Sequence, residues 1–239
     1  MDFKKEAARI AFTLIRNNSV VGLGDGSTIR FLAEYIIDAI KKGLTLRVYT
    51  SSRQTQIFLQ EGGITVYDFS LTDELDQYFD GCDQVDSQLN AFKSGAGIHT
   101  TEKILASMAK KFILLAEDSK FVDTLENKYP LVLEVIPQAG FFVMRKMKSM
   151  FPGTILSTRT TEDNKSPVIT RYGNYLIDCR FPVLPELELL QNNCKTITGV
   201  VDISLFYKLA HEAVIVGNQG VRRFERKNNL VTMIAVDPG

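Results

Sequence analysis

The 239 residues are 45% hydrophobic and 23% charged, an ordinary globular composition with room for one large domain or one domain carrying a smaller insert. Twenty-eight basic and twenty-eight acidic side chains cancel, and a pI near 6.7 leaves no basic stripe for nucleic acid. No run approaches the roughly 18 apolar residues of a spanning helix, the opening Met1-Asp2-Phe3-Lys4-Lys5 lacks a secretory pattern, and Cys82, Cys179 and Cys194 show neither metal-ligand nor disulfide spacing, so a reduced, cytoplasmic compartment is expected.

Ala7, Ile10, Ala11, Leu14 and Ile15 fall on one helical face, and 19–23 is a short apolar run ending in glycine, the signature of a buried strand. Phe31, Leu32, Tyr35, Ile36, Ala39 and Ile40 make a second helical face, which Gly43 closes. Residues 44–49 read as a strand and 51–60 as a helix. Further strands are expected over 64–69, 77–79 and 112–116. This alternation argues a parallel sheet covered on both faces.

After Lys120 the pattern changes. Strands are expected over 131–136, 154–160, 168–171, 175–179 and 199–205, with a turn at Tyr172-Gly173-Asn174 and helices over 137–150 and 184–190. This block reads as α+β and antiparallel. A last strand, 213–216, returns to the first sheet. The expected fold is therefore a large α/β domain, 1–127 plus 206–239, with a smaller α+β domain, 128–205, inserted before the return.

Gly22-Leu23-Gly24-Asp25-Gly26-Ser27-Thr28 links the first strand to the second helix. Glycines there let backbone amides approach an anion, and the helix start adds positive potential. A dinucleotide fingerprint fails, because its sixth position is Ser27 and the next strand ends in Thr50-Ser51-Ser52, not in an acidic residue. A P-loop fails because no Gly-Lys-Ser/Thr follows. Two readings stay open: a cradle for a monophosphate or carboxylate, with Ser27 and Thr28 as hydroxyl donors, or a tight turn with Ser27 as helix cap.

Asp80-Gly81-Cys82-Asp83-Gln84-Val85-Asp86 follows a strand. Lys93-Ser94-Gly95-Ala96-Gly97 comes next, and Thr100-Thr101-Glu102-Lys103 opens a helix with Thr100 or Thr101 as cap. Carboxylates at a strand end, a lysine beside a glycine loop and a first-turn glutamate can converge on the crevice where open α/β sheets bind ligands. Such a set suits proton transfer beside a carbonyl, with one carboxylate as base and a cation for the enediolate oxygen. The helix dipole at Glu102 favours its charged form. The plainer readings are turn aspartates, a hard-metal site without regular ligand spacing, a surface lysine and an ordinary helical glutamate.

These stretches, with Asp118-Ser119-Lys120, Glu134-Val135-Ile136-Pro137, Gly173-Asn174, Ile177-Asp178 and Gly199-Val200-Val201, resemble ribose-5-phosphate isomerase type A along nearly the whole chain. The resemblance implies a Rossmann-like domain plus a small ferredoxin-like domain. It implies interconversion of D-ribose 5-phosphate and D-ribulose 5-phosphate, in the pentose phosphate pathway, without metal or cofactor, by a homodimer or homotetramer. It places Glu102 as base and Lys93 on the oxyanion. Asp80 and Asp83 would serve ring opening and hydroxyl binding. Lys4, Gly24, Asp25, Gly26, Ser27, Thr28, Gly95 and Lys120 would lie on the substrate and phosphate side.

The chain departs from the family pattern at several points. Asp25 stands where Thr or Ser usually faces the phosphate, and Lys4 or Lys120 is expected to neutralise it. Gln84 replaces a Glu, Cys82 an alanine, and Ser94 and Ala96 replace glycines. Arg171-Tyr172 replaces Asp-Asn. His99, near the site, is expected to be a surface or hydrogen-bonded histidine. Arg222-Arg223-Phe224-Glu225-Arg226-Lys227 opens a tail expected to be solvated or in an oligomer contact. Two alternatives follow: an isomerase for another pentose or tetrose phosphate, or a non-catalytic sugar-phosphate sensor.

Overall fold

The structure is a computed structural model describing residues 2–235; Met1 and 236–239, which the expected large domain includes, lie outside the described residues. Helix α1 (Phe3–Thr13) starts at Asp2, whose carboxylate accepts from the amides of Lys4 and Lys5, satisfying donors that the helix start leaves free. Strand β1 (Ser19–Leu23), helix α2 (Ser27–Lys41), strand β2 (Leu46–Thr50) and helix α3 (Arg53–Glu61) follow. Gly43, at φ +105°, ends α2 as expected: its amide and that of Leu44 turn back onto the carbonyls of Ile40 and Ala39, a closure that needs left-handed backbone.

The strand expected over 64–69 does not form. Val66 makes one isolated bridge to Val48, and Asp68 accepts from the amide of Ser70, drawing the backbone into a short 3-10 turn at Phe69–Leu71. Next come β3 (Leu75–Asp80), β4 (Gln84–Asp86), β5 (Ala91–Phe92), α4 (His99–Met108), β6 (Ala109–Glu117) and β7 (Phe121–Val122). The chain continues through β8 (Leu131–Val135), α5 (Gly140–Met150), β9 (Ile155–Thr158), β10 (Tyr175–Arg180), α6 (Leu187–Lys195) and β11 (Val200–Ile203). It closes with β12 (Leu205–Phe206), β13 (Glu212–Gly217), β14 (Gly220–Lys227) and β15 (Leu230–Ile234).

The large sheet has the order β15-β14-β13-β6-β3-β1-β2. From β13 to β2 its pairings are parallel, and β14 and β15 extend it antiparallel. Neighbouring residues on a strand point to opposite faces, and both faces are buried. Phe79, Ile113, Leu115, Val214 and Val216 pack under α1, α2 and α3. Tyr78, Phe112, Leu114, Ala213 and Ile215 pack on the other face, with Leu105 of α4, Val85 and Phe206. Burial on both sides is why these strands read as unbroken apolar runs.

The chain leaves this sheet after β6 and returns at β13. Between them lies a second sheet, β11-β8-β10-β9, antiparallel throughout. Its core, with Leu131, Leu133 and Ile177, packs against Val143 and Met147 of α5 and Leu190 of α6. The β-α-β-β-α-β order is that of a ferredoxin-like unit. A third small sheet, β12-β5-β4-β7, lies where the two meet.

Three expectations change here. Residues 168–171 form no strand: Ile169 makes one isolated bridge to Tyr175, beside another between Thr160 and Pro167, and Pro167 has no amide with which to extend a ladder. The helix expected from 184 starts at Leu187, after Pro185 and behind Glu186, whose carboxylate caps it. The tail, expected to be solvated or in an oligomer contact, forms β14, with its side chains from Val221 to Arg226 half-buried. Arg223 pairs with buried Glu212 at 2.6 Å, Arg222 with Asp118, and Arg226 donates to the Ala210 carbonyl.

Ending the chain after Asn218 would strip β14 from β13 and leave an apolar, unpaired edge on the central sheet. We expect the truncated protein to aggregate, or to melt at least about 5 °C lower, which size-exclusion chromatography and a thermal melt would show.

Candidate active site

Helix α2 carries the chain from β1 to β2, while β3 lies on the other side of β1. The carboxyl ends of β1 and β3 therefore flank a crevice at a topological switch point, where open α/β sheets hold ligands. The glycines after β1 serve two needs. A Cβ on Gly24 would sit 1.9 Å from the carboxyl carbon of Asp80. Gly26, at φ +100°, is the N-cap of α2, so Ser27 is the first helical residue and not the cap. The first-turn amides of α2 have no intrahelical acceptor and open toward a cavity of about 220 Å³ that Gly26, Ser27 and Thr28 line.

Asp80 ends β3 and is fully buried. One oxygen accepts from Tyr78 Oη at 2.6 Å, and the other accepts from the amides of Gly81 at 2.7 Å and Asp25 at 3.2 Å. The Lys93 ammonium lies 2.9 Å from Asp80 and 3.2 Å from Glu102, and donates to the Gly81 carbonyl at 2.7 Å. Lys93 is thus not a surface charge. Burial works against its ammonium, yet Asp80 and Glu102 together hold its pKa above the ordinary lysine value.

Glu102 stands in the first turn of α4, 3% exposed. Burial pushes its carboxyl up, Lys93 pulls it down and Asp80 pushes it up again, with the balance at about 8. The helix dipole, expected to keep it charged, is outweighed by desolvation. The result is a carboxylate that binds a proton near neutral pH. Lys93 and Glu102 line the cavity, and Asp80 lies behind Lys93.

Asp83 also lines the cavity; one oxygen accepts from the amides of Ser94 at 2.5 Å and Gly95 at 3.0 Å. Lys4 and Lys120 stand at the rim with Glu117. Neither neutralises Asp25 as expected: Lys4 lies 3.9 Å from Glu117, and Lys120 donates to the Cys82 carbonyl at 2.7 Å. Asp25 instead accepts from Ser52 Oγ at 2.5 Å, which ties it to the start of α3. Cys82 is buried, with burial pushing its thiol up to about 12, so it is a packing residue. Among the described residues no set of three His, Cys, Asp or Glu side chains could hold a metal ion.

The expectation for His99 is overturned. It is fully buried, with no partner in ordinary hydrogen-bond geometry for either ring nitrogen, and burial pushes its pKa down to about 3 despite the Asp202 backbone beside it. Helix α4 begins at His99 behind Ile98, so neither Thr100 nor Thr101 caps it. Sequence reading did not find Tyr78, Ser52 or Glu117. For Tyr78 a signal existed: residues 78 and 80 share one face of a strand by its period of two.

A model of the family described as Ribose 5-phosphate isomerase A (phosphoriboisomerase A) matches residues 47–220. Ribose-5-phosphate isomerase A 1 of Oceanobacillus iheyensis is 35% identical over 90% of this chain and 94% of its own. Ribose-5-phosphate isomerase A of Archaeoglobus fulgidus is 35% identical over 92% and 97%. A D-ribose-5-phosphate isomerase solved in complex with phospho-erythronic acid superposes with a TM-score of 0.88 at 31% identity, covering 94% of this chain and 98% of that one. The ribose 5-phosphate isomerase A structure from Methanocaldococcus jannaschii gives 0.87 at 30% identity, covering 94% and 99%.

The close approach of Gly24 to Asp80 sets one outcome. Gly24→Ala is expected to push the Asp80–Lys93–Glu102 cluster out of register and reduce the catalysed rate by about 10²-fold. A steady-state assay beside a circular dichroism spectrum would separate this from misfolding.

Proposed function

The chain belongs to the ribose-5-phosphate isomerase A family and is an aldose–ketose isomerase, and we propose that Glu102 and Lys93 carry its interconversion of D-ribose 5-phosphate and D-ribulose 5-phosphate. The observation that supports this assignment is the 3.2 Å contact of these two side chains at the wall of a cavity that opens on the free amides of α2. In the open-chain aldose the Glu102 carboxylate takes the proton from carbon 2, the C–H electron pair forms the carbon 1–carbon 2 double bond as the carbonyl pair moves onto the carbon 1 oxygen, the hydroxyl proton passes from the carbon 2 oxygen to the carbon 1 oxygen, and the resulting carboxylic acid returns its proton to carbon 1 as the carbon 2 carbonyl forms. Lys93 faces the oxygen on which negative charge develops, and both it and Glu102 are themselves buried, which strengthens the electrostatic stabilisation. A base near 8 is also better matched to a weakly acidic C–H than an ordinary carboxylate.

The other expected site residues follow from the geometry. Asp80 acts as the counter-ion that aims Lys93. Asp83, with one oxygen on two loop amides, has its remaining acceptor capacity for a sugar hydroxyl and for the proton moved in ring opening. Gly26, Ser27 and Thr28, with Lys4 and Lys120 at the rim, form the phosphate side, and Asp25 is held by Ser52. Gly24 supplies the close backbone approach, and Gly95 an amide. Neither an isomerase for another pentose or tetrose phosphate nor a non-catalytic sensor is favoured by the relatives' names.

The catalytic unit is taken as 1–127 plus 206–239 and the small unit as 128–205. A cytoplasmic setting is supported by three buried free cysteines, and no helix among the described residues is long and apolar enough to cross a membrane. Assembly as a homodimer or homotetramer is supported by the exposed apolar side chains Phe141, Val183 and Met233. The reaction as written uses no metal or cofactor.

Glu102→Gln keeps the shape of the side chain and removes the base. EDTA-treated protein assayed by ketose formation from D-ribose 5-phosphate should lose about 10²–10⁴-fold in rate; a variant as fast as the parent would refute the assignment. Because the deprotonated carboxylate is the active form, kcat/KM is expected to rise with pH through about 8 and then level off. A limb centred on the ordinary carboxylate range would contradict the burial argument.

A further inference from the structure

The loop that follows Lys93 is gripped from both sides, and the outer grip comes from the small unit. Arg159, directly after β9, donates from Nη2 to the Ser94 carbonyl at 2.9 Å and from Nη1 to the Gly95 carbonyl at 3.1 Å. The rest of its fork lies on Asp178 of β10, with Nη2 at 2.7 Å and Nε at 3.1 Å. On the inner side the amides of Ser94 and Gly95 both point at Asp83. The single peptide unit between Ser94 and Gly95 therefore runs from a guanidinium on its carbonyl to a carboxylate on its N–H. A cation on the carbonyl polarises the peptide and strengthens the hydrogen bond that its N–H donates at the other end. Farther along the loop, a Cβ on Gly97 would meet Leu176 at 2.5 Å, so the loop lies flush against the small sheet.

We propose that Arg159 is a positioning residue for the isomerisation: its planar fork fixes the 94–95 peptide so that Asp83 stays aimed at the sugar and Lys93 at Glu102. This rests on the reading of Glu102, Lys93 and Asp83 given above. Two features of the side chain matter. A guanidinium reaches two adjacent carbonyls and a carboxylate at once in one plane, which a lysine cannot do. And Asp178 orients the fork from behind, so the contact does not depend on a freely rotating side chain. The small unit is thereby more than a cover. It completes the loop that Ser94 and Ala96 occupy in place of glycines.

The test is Arg159→Lys beside Arg159→Met and Asp178→Asn, each measured for kcat, KM, melting temperature and amide hydrogen exchange at Ser94 and Gly95 without sugar. Arg159→Lys keeps the charge and the partner Asp178 but loses the fork. It is expected to lose about tenfold or more in kcat/KM, with KM raised as well as kcat lowered, to exchange faster at Gly95, and to melt close to the parent. Asp178→Asn is expected to lie between it and the parent. If Arg159→Met fails to fold, Arg159→Lys still decides. An active parent with an unimpaired Arg159→Lys variant and unchanged exchange at Gly95 would overturn this assignment alone. An inactive parent would instead sink the reading of the site.

Discussion

One ammonium shared by two buried carboxylates is the constraint around which this protein is arranged. Burying three charges is costly unless each is paired and hydrogen-bonded. Asp80 meets that demand with Tyr78, two backbone amides and Lys93. Glu102, left with the longer contact to the same cation, is the carboxylate whose proton affinity rises. Burial and the charge of Asp80 raise it, and Lys93 offsets only part of that rise.

The backbone accommodates this cluster at specific points. Strand β1 passes close enough to Asp80 that only glycine fits at 24. The same turn swings α2 so that its unpaired amides face the cavity. The order of strands matters as much: because β2 and β3 lie on opposite sides of β1, no crossover blocks the crevice between their ends. The first turn of α2 and the Lys93–Glu102 pair therefore share one opening, about 220 Å³ in volume.

The departures from the family pattern have structural partners. Asp25, a repulsive choice beside a phosphate, is drawn toward α3 by the Ser52 hydroxyl. Ser94, in place of a glycine, donates its hydroxyl to the Pro130 carbonyl at 2.6 Å, joining the lysine loop to the entrance of β8. Cys82 fills a buried position at the cavity wall. Gln84 accepts from the amide of Glu126 at 2.9 Å, a bond that joins β4 to the chain just ahead of β8. Of the Arg171-Tyr172 pair, Arg171 lies over the Phe69 ring, 5.9 Å from its centre, and Tyr172 Oη accepts from the Thr101 hydroxyl at 3.3 Å.

Much of this was legible in the residues themselves. Apolar periodicity gave α1, α2, β1, β3 and β6, and the left-handed requirement gave Gly43, because both are properties of neighbours along the chain. The co-location of Gly24–Thr28, Asp80, Asp83, Lys93 and Glu102 followed from strand ends and from the family resemblance. Short strands such as β4, β5 and β7 were not visible, since two or three residues carry no period. Nor was the tail, whose charges look solvated until Glu212 is found buried beneath them. The sequence alone determined the long periodic helices and the buried strands of the central sheet, and which side chains crowd the strand ends. The tertiary structure alone decided that Lys93 is buried, that Glu102 binds its proton more tightly than a free carboxyl, and that Arg159 reaches a loop 64 residues earlier. Burial and pairing depend on which distant segments meet, and desolvation and Coulomb energies are set by that meeting and not by local order.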